Sequence, residues 1–152
     1  MPTHGGQIAF VGGHKNNHET NPWEVAAREF EEETEHTQEN IEFIGYLPAV
    51  MTARLLPIIP VVARLKISTD QFMQEVKSNG EWDHILAYPW AELIQEKKWE
   101  FAWRNGYTRG PIMFYPIHSG SYLPHDNNQR DHLLWGATAA MIWDFLRLYF
   151  KT

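Results

Sequence analysis

The reading of the fold turns on GGHKNNHETNPWEVAAREFEEETEH, residues 12–36. Between Glu29 and Glu35, five of seven positions are glutamate. Like charges one helical turn apart cost roughly 0.2–0.5 kcal/mol per pair on an isolated helix, so the run needs a reason. Its start carries clear helix signals: Asn21 as N-cap, Pro22 at the first helical position and Glu24 at the third. The spacing predicts a helix from there to about Thr34. Trp23, Ala26, Ala27 and Phe30 make an apolar stripe, while Glu29, Glu32, Glu33 and His36 share another face.

Residues three and four apart on a helix are neighbours, so Glu29, Glu32 and Glu33 project toward a common point. Carboxylates that converge in this way suit a hard divalent cation such as Mg²⁺ or Mn²⁺, which takes oxygen ligands and keeps waters for substrate phosphates. Arg28, on a neighbouring face, is placed to hold one carboxylate. Gly12 and Gly13 leave backbone amides able to approach a phosphate or to orient the helix. The competing reading of the run alone is a solvated acidic face.

Composition narrows the rest. The chain has 152 residues, 43% hydrophobic and 14% aromatic, enough for one domain, 1–152, with a real core. A net charge of -6 argues against nucleic acid as a bulk partner. The absence of Cys excludes disulfides and thiolate chemistry. No apolar run reaches the length of a membrane span and MPTHGGQ has no signal-peptide core. A cytoplasmic protein without membrane contact is expected.

Along the chain, GGQIAFVGG reads as a short strand entering a tight loop. IEFIGYLPAV and LLPIIPVVARLKI read as strands with prolines at their margins. STDQFMQEVKSNG suggests a short helix or turn, EWDHILAYPW a strand, and AELIQEKKW a helix. GPIMFYPIH reads as a strand, SGSYLPHDNNQRD as a loop, and HLLWGATAAMIWDFLRLYF as a closing helix. Strands and helices interleave without a regular βαβ period, which favours an α/β sandwich with a mixed sheet.

The order strand, glycine loop, acid, capped helix, Arg-Glu and Glu-Glu resembles the Nudix box, G-x5-E-x7-R-E-U-x-E-E-x-G-U. Arg28-Glu29-Phe30-Glu31-Glu32-Glu33 matches its centre in full. Gly13 and Glu19 fit the upstream half with one extra residue before Arg28. Glu35 stands where the family has glycine, and His36 where it has an apolar residue. The helix is therefore expected to run on, or to leave through a costlier turn than glycine would give. His4-Gly5-Gly6-Gln7-Ile8-Ala9-Phe10-Val11-Gly12-Gly13 and the longer loop resemble the coenzyme A pyrophosphatase-like branch, with Val11 in place of its proline. IGYLPAVMTARLLPIIPVVARL, EWDHILAYPWAELI and WGATAAMIWDFL are similar to that branch's later segments.

The resemblance implies a Nudix α/β/α sandwich and a metal-dependent pyrophosphohydrolase acting on a small-molecule nucleotide. Coenzyme A or an acyl-CoA is the expected substrate; the alternatives are another nucleotide (ADP-ribose, NADH, a nucleotide sugar) or a non-catalytic Nudix-fold binding module. Glu29, Glu32 and Glu33 would hold Mg²⁺ or Mn²⁺, with Glu81 a further ligand or base. Arg54 and Arg64 are candidates for diphosphate contact, against ordinary surface charge. His4, His14 and His18 are weaker candidates for phosphate or metal, and Trp99, Trp103 and Tyr107 for adenine stacking; Thr138 reads as packing. The branch normally carries a further N-terminal strand and a basic stretch ahead of His4. Either the natural chain is longer than this sequence, or the sheet edge left unpaired is covered by another subunit, and a homodimer is expected.

Overall fold

The computed structural model describes residues 7–52, 55–77, 79–82, 84–102, 112–117 and 132–150. In chain order the elements are α1 (Pro22–Thr34), β1 (Ile41–Tyr46), β2 (Val50–Met51), β3 (Pro57–Ile58) and β4 (Val61–Leu65). There follow α2 (Thr69–Glu75), α3 (Trp90–Leu93), β5 (Glu100–Ala102), β6 (Ile112–Ile117), β7 (His132–Trp135) and α4 (Gly136–Tyr149). Helices and antiparallel sheets give the α/β class expected. Among the described residues every ladder is antiparallel, so the parallel component of a mixed sheet is not found there.

The described residues form two compact units, one from residues 10–49 and 59–85 and the other from the remainder. In the first, α1 packs against β4, and β1 pairs antiparallel with β4. The register slips between Phe43 and Gly45, leaving Ile44 as an extra residue. Such a bulge breaks the two-residue alternation, and Phe43 and Ile44 are accordingly both exposed. Ala27, Ile41, Leu47 and Phe72 form the buried apolar positions of this unit.

α1 follows its sequence signals closely. Asn21 is extended and its side chain accepts from the Glu24 amide at 3.1 Å, while Pro22 opens the helix. The Glu24 carboxylate turns back to the amide and hydroxyl of Thr20 and also accepts from the Asn21 side-chain amide at 2.9 Å. The helix leaves at Glu35, whose φ of 55° lies in the left-handed region and whose amide bonds Glu31 O at 3.0 Å. This is the costlier exit expected in place of glycine. A left-handed L-residue costs roughly 1–2 kcal/mol, and Glu35 has only an exposed, 3.8 Å ion pair with Lys77 to offset it. Glu35→Gly is expected to stabilise the protein by about 1 kcal/mol, raising Tm by about 2–4 °C; calorimetry checks it.

In the other unit β5, β6 and β7 form an antiparallel sheet covered by α4. Pro116 lies in the middle strand, beyond the β5 pairing, which spans residues 112–114 of β6, so no ladder bond to β5 is lost. Tyr115, Leu134 and Ala139 are fully or almost fully buried, with Leu93, Trp99, Ile117, Ile142 and Leu146 around them. The polar atoms buried with them are met: Tyr115 OH donates to Glu92 O at 2.7 Å and Trp99 Nε1 to Leu93 O at 2.8 Å. Burial pushes the Tyr115 hydroxyl well above the ordinary tyrosine range.

Several expectations are corrected. Residues 7–13 form no strand; Ile8 packs on this core and its carbonyl accepts from Thr138 Oγ1 at 3.0 Å. Residues 84–89 form no strand either, and the helix expected after them is broken into α3 and a 3₁₀ turn, Glu96–Lys98. HLLW is a strand, because His132–Trp135 pairs residue by residue with β6, and only from Gly136 does the chain turn helical. The loop read in SGSYLPHDNNQRD lies outside the described residues.

Candidate functional site

The site is built on α1 and the loop before it. Glu19 is 4% exposed, and its position is fixed by a local turn. Its amide donates to Asn16 O, and its carboxylate accepts from the Asn16 amide. Arg28 projects from α1 onto this carboxylate, Nε to Glu19 Oε1 at 2.7 Å. The same guanidinium places Nη1 at 2.8 Å from both Glu29 Oε1 and Glu32 Oε2, and Nη2 at 3.0 Å from the His14 carbonyl. The sequence reading gave Arg28 one carboxylate; it holds three. A planar fork of five donors can do this, whereas an ammonium cannot.

Charge follows geometry. The hydrogen bond from Arg28, with the Asn16 amide, holds the Glu19 carboxyl below the ordinary carboxylate range. Arg28 is driven further up by its bond to Glu19 and by Glu29. Glu33 moves the opposite way. Burial pushes its carboxyl up, the charges of Glu81, Glu29 and Glu32 push it further, and the Gly12 amide opposes them. That amide donates to Glu33 Oε1 at 3.0 Å, so as placed it is engaged by the helix. At Gly13 an added Cβ would fall on the Glu29 carboxylate, so the backbone passes directly beside that side chain.

Arg28, Glu29, Glu32, Glu33, Gly12 and Gly13 are thus gathered around one end of the loop, and Glu81 stands within electrostatic reach of Glu33. The donor set fits a hard divalent cation in kind, since every group is a carboxylate and Glu33 carries an unrelieved charge excess. As placed, the side chains lean toward Arg28 and the Gly12 amide. Among the described residues no three His, Asp or Glu side chains stand close enough to enclose an ion.

The other candidates stand in different surroundings. His36 is buried, stacked on Phe72 with ring centroids 4.6 Å apart. The turn at Glu35 carries it off the glutamate face and into the core. Arg64, on β4, pairs with Glu42 across the β1–β4 ladder, and both are exposed. His14 contributes its carbonyl to Arg28, and His18 is exposed. Trp99 is 5% exposed, with its indole N–H engaged, and offers no face to a base. His4, Arg54, Trp103 and Tyr107 lie outside the described residues. The sequence reading missed Asn79 and Trp82, which donate to the Glu32 and Glu33 carbonyls at 3.0 and 2.6 Å. The signal for them was only the Asn79-Gly80 turn; partners 47 and 49 residues away leave no local pattern.

Comparison with known proteins follows this geometry. The NUDIX domain family model matches residues 1–106. The chain is 22% identical over 145 residues to "Nudix hydrolase 22, chloroplastic" of Arabidopsis thaliana, covering 93% of this chain and 44% of that protein. It is 22% identical over 142 residues to "Nudix hydrolase 15, mitochondrial" of the same plant, covering 93% and 47%. Over 62 residues it is 39% identical to "Uncharacterized Nudix hydrolase NudL" of Klebsiella aerogenes, covering 41% and 52%. The chain spans about half the length of the curated relatives it matches. No solved structure matches it.

Proposed function

Since the chain belongs to the Nudix family, we propose that it hydrolyses the diphosphate of a nucleotide joined to another moiety, and that coenzyme A or an acyl-CoA is its substrate. Nudix hydrolases act on phosphorus-containing anhydrides in small molecules and generally need a divalent metal. The observation that carries the hydrolase reading is a half-buried Glu33 beside the charges of Glu29, Glu32 and Glu81, on a helix whose Glu29 and Glu32 share the Arg28 guanidinium. A merely solvated acidic face would have no half-buried member and no common cation. In this reading Glu29, Glu32 and Glu33 hold Mg²⁺ or Mn²⁺. Such an ion, when bound, neutralises phosphate charge and acidifies an attacking water. The residues themselves do the positioning. Arg28 fixes Glu29 and Glu32, the Gly12 amide fixes Glu33, and Glu81 is either a further ligand or the base that takes the water's proton.

The choice of coenzyme A rests on the resemblance of residues 4–13 and the longer loop. A phosphate-release assay on a panel of diphosphates, with and without Mg²⁺, tests it. Coenzyme A is expected to be cut between its two phosphates, giving a phosphopantetheine and 3′,5′-ADP. Faster cleavage of ADP-ribose or a nucleotide sugar, by about ten-fold or more in kcat/KM (about 1.4 kcal/mol), would move the assignment to that substrate. No cleavage of any diphosphate would favour the binding module.

A homodimer belongs to the same proposal, supported by the exposed Phe43, Ile44 and Tyr46 along β1. Light scattering at micromolar concentration is expected to give twice the chain mass of 17.8 kDa; a monomer overturns it. A cytoplasmic location is part of the same proposal; no described helix is long and apolar enough to cross a membrane. The two plant relatives are named chloroplastic and mitochondrial, so cell fractionation decides it.

A further inference from the structure

The last four carbonyls of an α-helix have no partner inside it, and α1 meets all four without a glycine. Glu31 O takes the Glu35 amide at 3.0 Å, and Thr34 O takes the Lys77 amide at 3.4 Å. Glu32 O takes Asn79 Nδ2 at 3.0 Å, and Glu33 O takes Trp82 Nε1 at 2.6 Å. Three of the four donors therefore come from one distant stretch of chain. Asn79 also faces the other way: its Oδ1 accepts from the Glu81 amide at 2.9 Å. Gly80, at a φ of 95°, gives the reversal that this needs, in a region L-residues rarely enter. Glu81 is thus anchored on both sides, by Asn79 before it and Trp82 after it, onto the turn that carries Glu32 and Glu33.

We propose that Asn79 and Trp82 are positioning residues that clamp this stretch to the end of α1 and thereby set the Glu81 carboxylate beside Glu33. The inference rests on the hydrolase reading and deepens it: the carboxylate cluster has four members from two parts of the chain. The fourth is placed by capping the helix that carries the other three. Capping alone needs only the Asn79 Nδ2 and Trp82 Nε1 donors, one for each carbonyl. Here the Asn79 side chain bridges the helix and the backbone of Glu81 itself, which ties the acid's position to the helix end.

A double-mutant cycle between Glu81→Gln and Trp82→Phe tests it, read twice. In chelator, Glu81→Gln relieves repulsion on Glu33 and is expected to raise Tm by about 1–2 °C in the wild-type background. It is expected to leave Tm unchanged in Trp82→Phe, where Glu81 is no longer held. In Mg²⁺, with the diphosphate turned over fastest, Trp82→Phe is expected to lower kcat about ten-fold with KM within about two-fold. Adding Glu81→Gln to it then costs nothing more. The same Tm gain in both backgrounds, or kcat losses that multiply, would overturn the clamp and leave Trp82 a simple cap. Should Trp82→Phe not fold, Asn79→Asp takes its place. It keeps the acceptor for the Glu81 amide, loses the donor to Glu32 O, and the same coupling is expected to vanish. A wild type that turns over no diphosphate removes the hydrolase reading alone, because the chelator cycle still decides the clamp.

Discussion

Glu33→Gln is expected to lower kcat/KM by about a hundred-fold or more, about 2.7 kcal/mol of barrier, while in chelator the variant melts no lower than the wild type and up to about 2–4 °C higher. The two halves of this result have one cause. Glu33 is the cluster member pushed up by burial and by Glu81, Glu29 and Glu32. Without a cation its charge is a cost, which the isosteric amide removes. A carboxyl whose folded value lies above its unfolded value contributes stability below the ordinary carboxylate pKa, and loses it as pH rises through the folded value. Glutamine does not titrate. The variant's advantage in chelator should therefore grow from about pH 4 toward neutrality. Glu32→Gln is expected to lose activity similarly with a smaller gain in stability, because the Glu32 side chain is 56% exposed. Activity above about a tenth of wild type in either variant, under about 1.4 kcal/mol, would show that residue to be inessential.

Arg28→Lys is expected to lower kcat/KM by about thirty- to a hundred-fold, the range for residues that orient metal ligands, although charge is conserved. A lysine ammonium cannot reach Glu19, Glu29, Glu32 and the His14 carbonyl from one position, as the guanidinium does. The stability signature separates this from a local fault. Glu19's carboxyl is held below its ordinary value, chiefly by the bond from Arg28. It therefore contributes stability above the ordinary carboxylate pKa and loses it as pH falls through the lowered value. In Arg28→Lys that acid limb should move to higher pH, seen as a Tm that begins to fall earlier on acidification from about pH 6 to 3. An unchanged acid limb would mean that Glu19 does not depend on Arg28.

What the sequence disclosed followed the range of the interactions. α1 was legible to the residue, because Asn21, Pro22 and Glu24 specify its start within four positions and the glutamate spacing specifies its face. Its end near Thr34 was legible too, but the sequence left open whether the helix ran on or left through a costlier turn, which the left-handed Glu35 decides. The strand read in residues 7–13 failed because alternation describes side chains alone, whereas a strand needs a partner ladder; Ile8 found a core and its carbonyl found Thr138 instead. HLLW failed in the opposite sense, its helical spacing overridden by pairing with β6. His36 was misplaced because a periodic reading carries past a turn that rotates the chain. For Asn79 and Trp82 the sequence offered only the Asn79-Gly80 turn, since what identifies them is two carbonyls on another element.

The acidic composition of α1 has a consequence for the field along its axis. A helix is partially negative at its C-terminal end, where acidic side chains are unfavourable and basic ones favourable. α1 has no basic residue in its last turn, yet Glu31, Glu32, Glu33 and Glu35 all gather there. The backbone macrodipole thus adds to the side-chain charge instead of cancelling it, and the negative potential is concentrated at one pole of one helix. Screening by monovalent salt damps the field of such a pole beyond a Debye length of about 8–10 Å and leaves the charges packed within the turn largely unscreened. Raising ionic strength therefore weakens the long-range pull on an approaching cation more than it eases the crowding at the helix end.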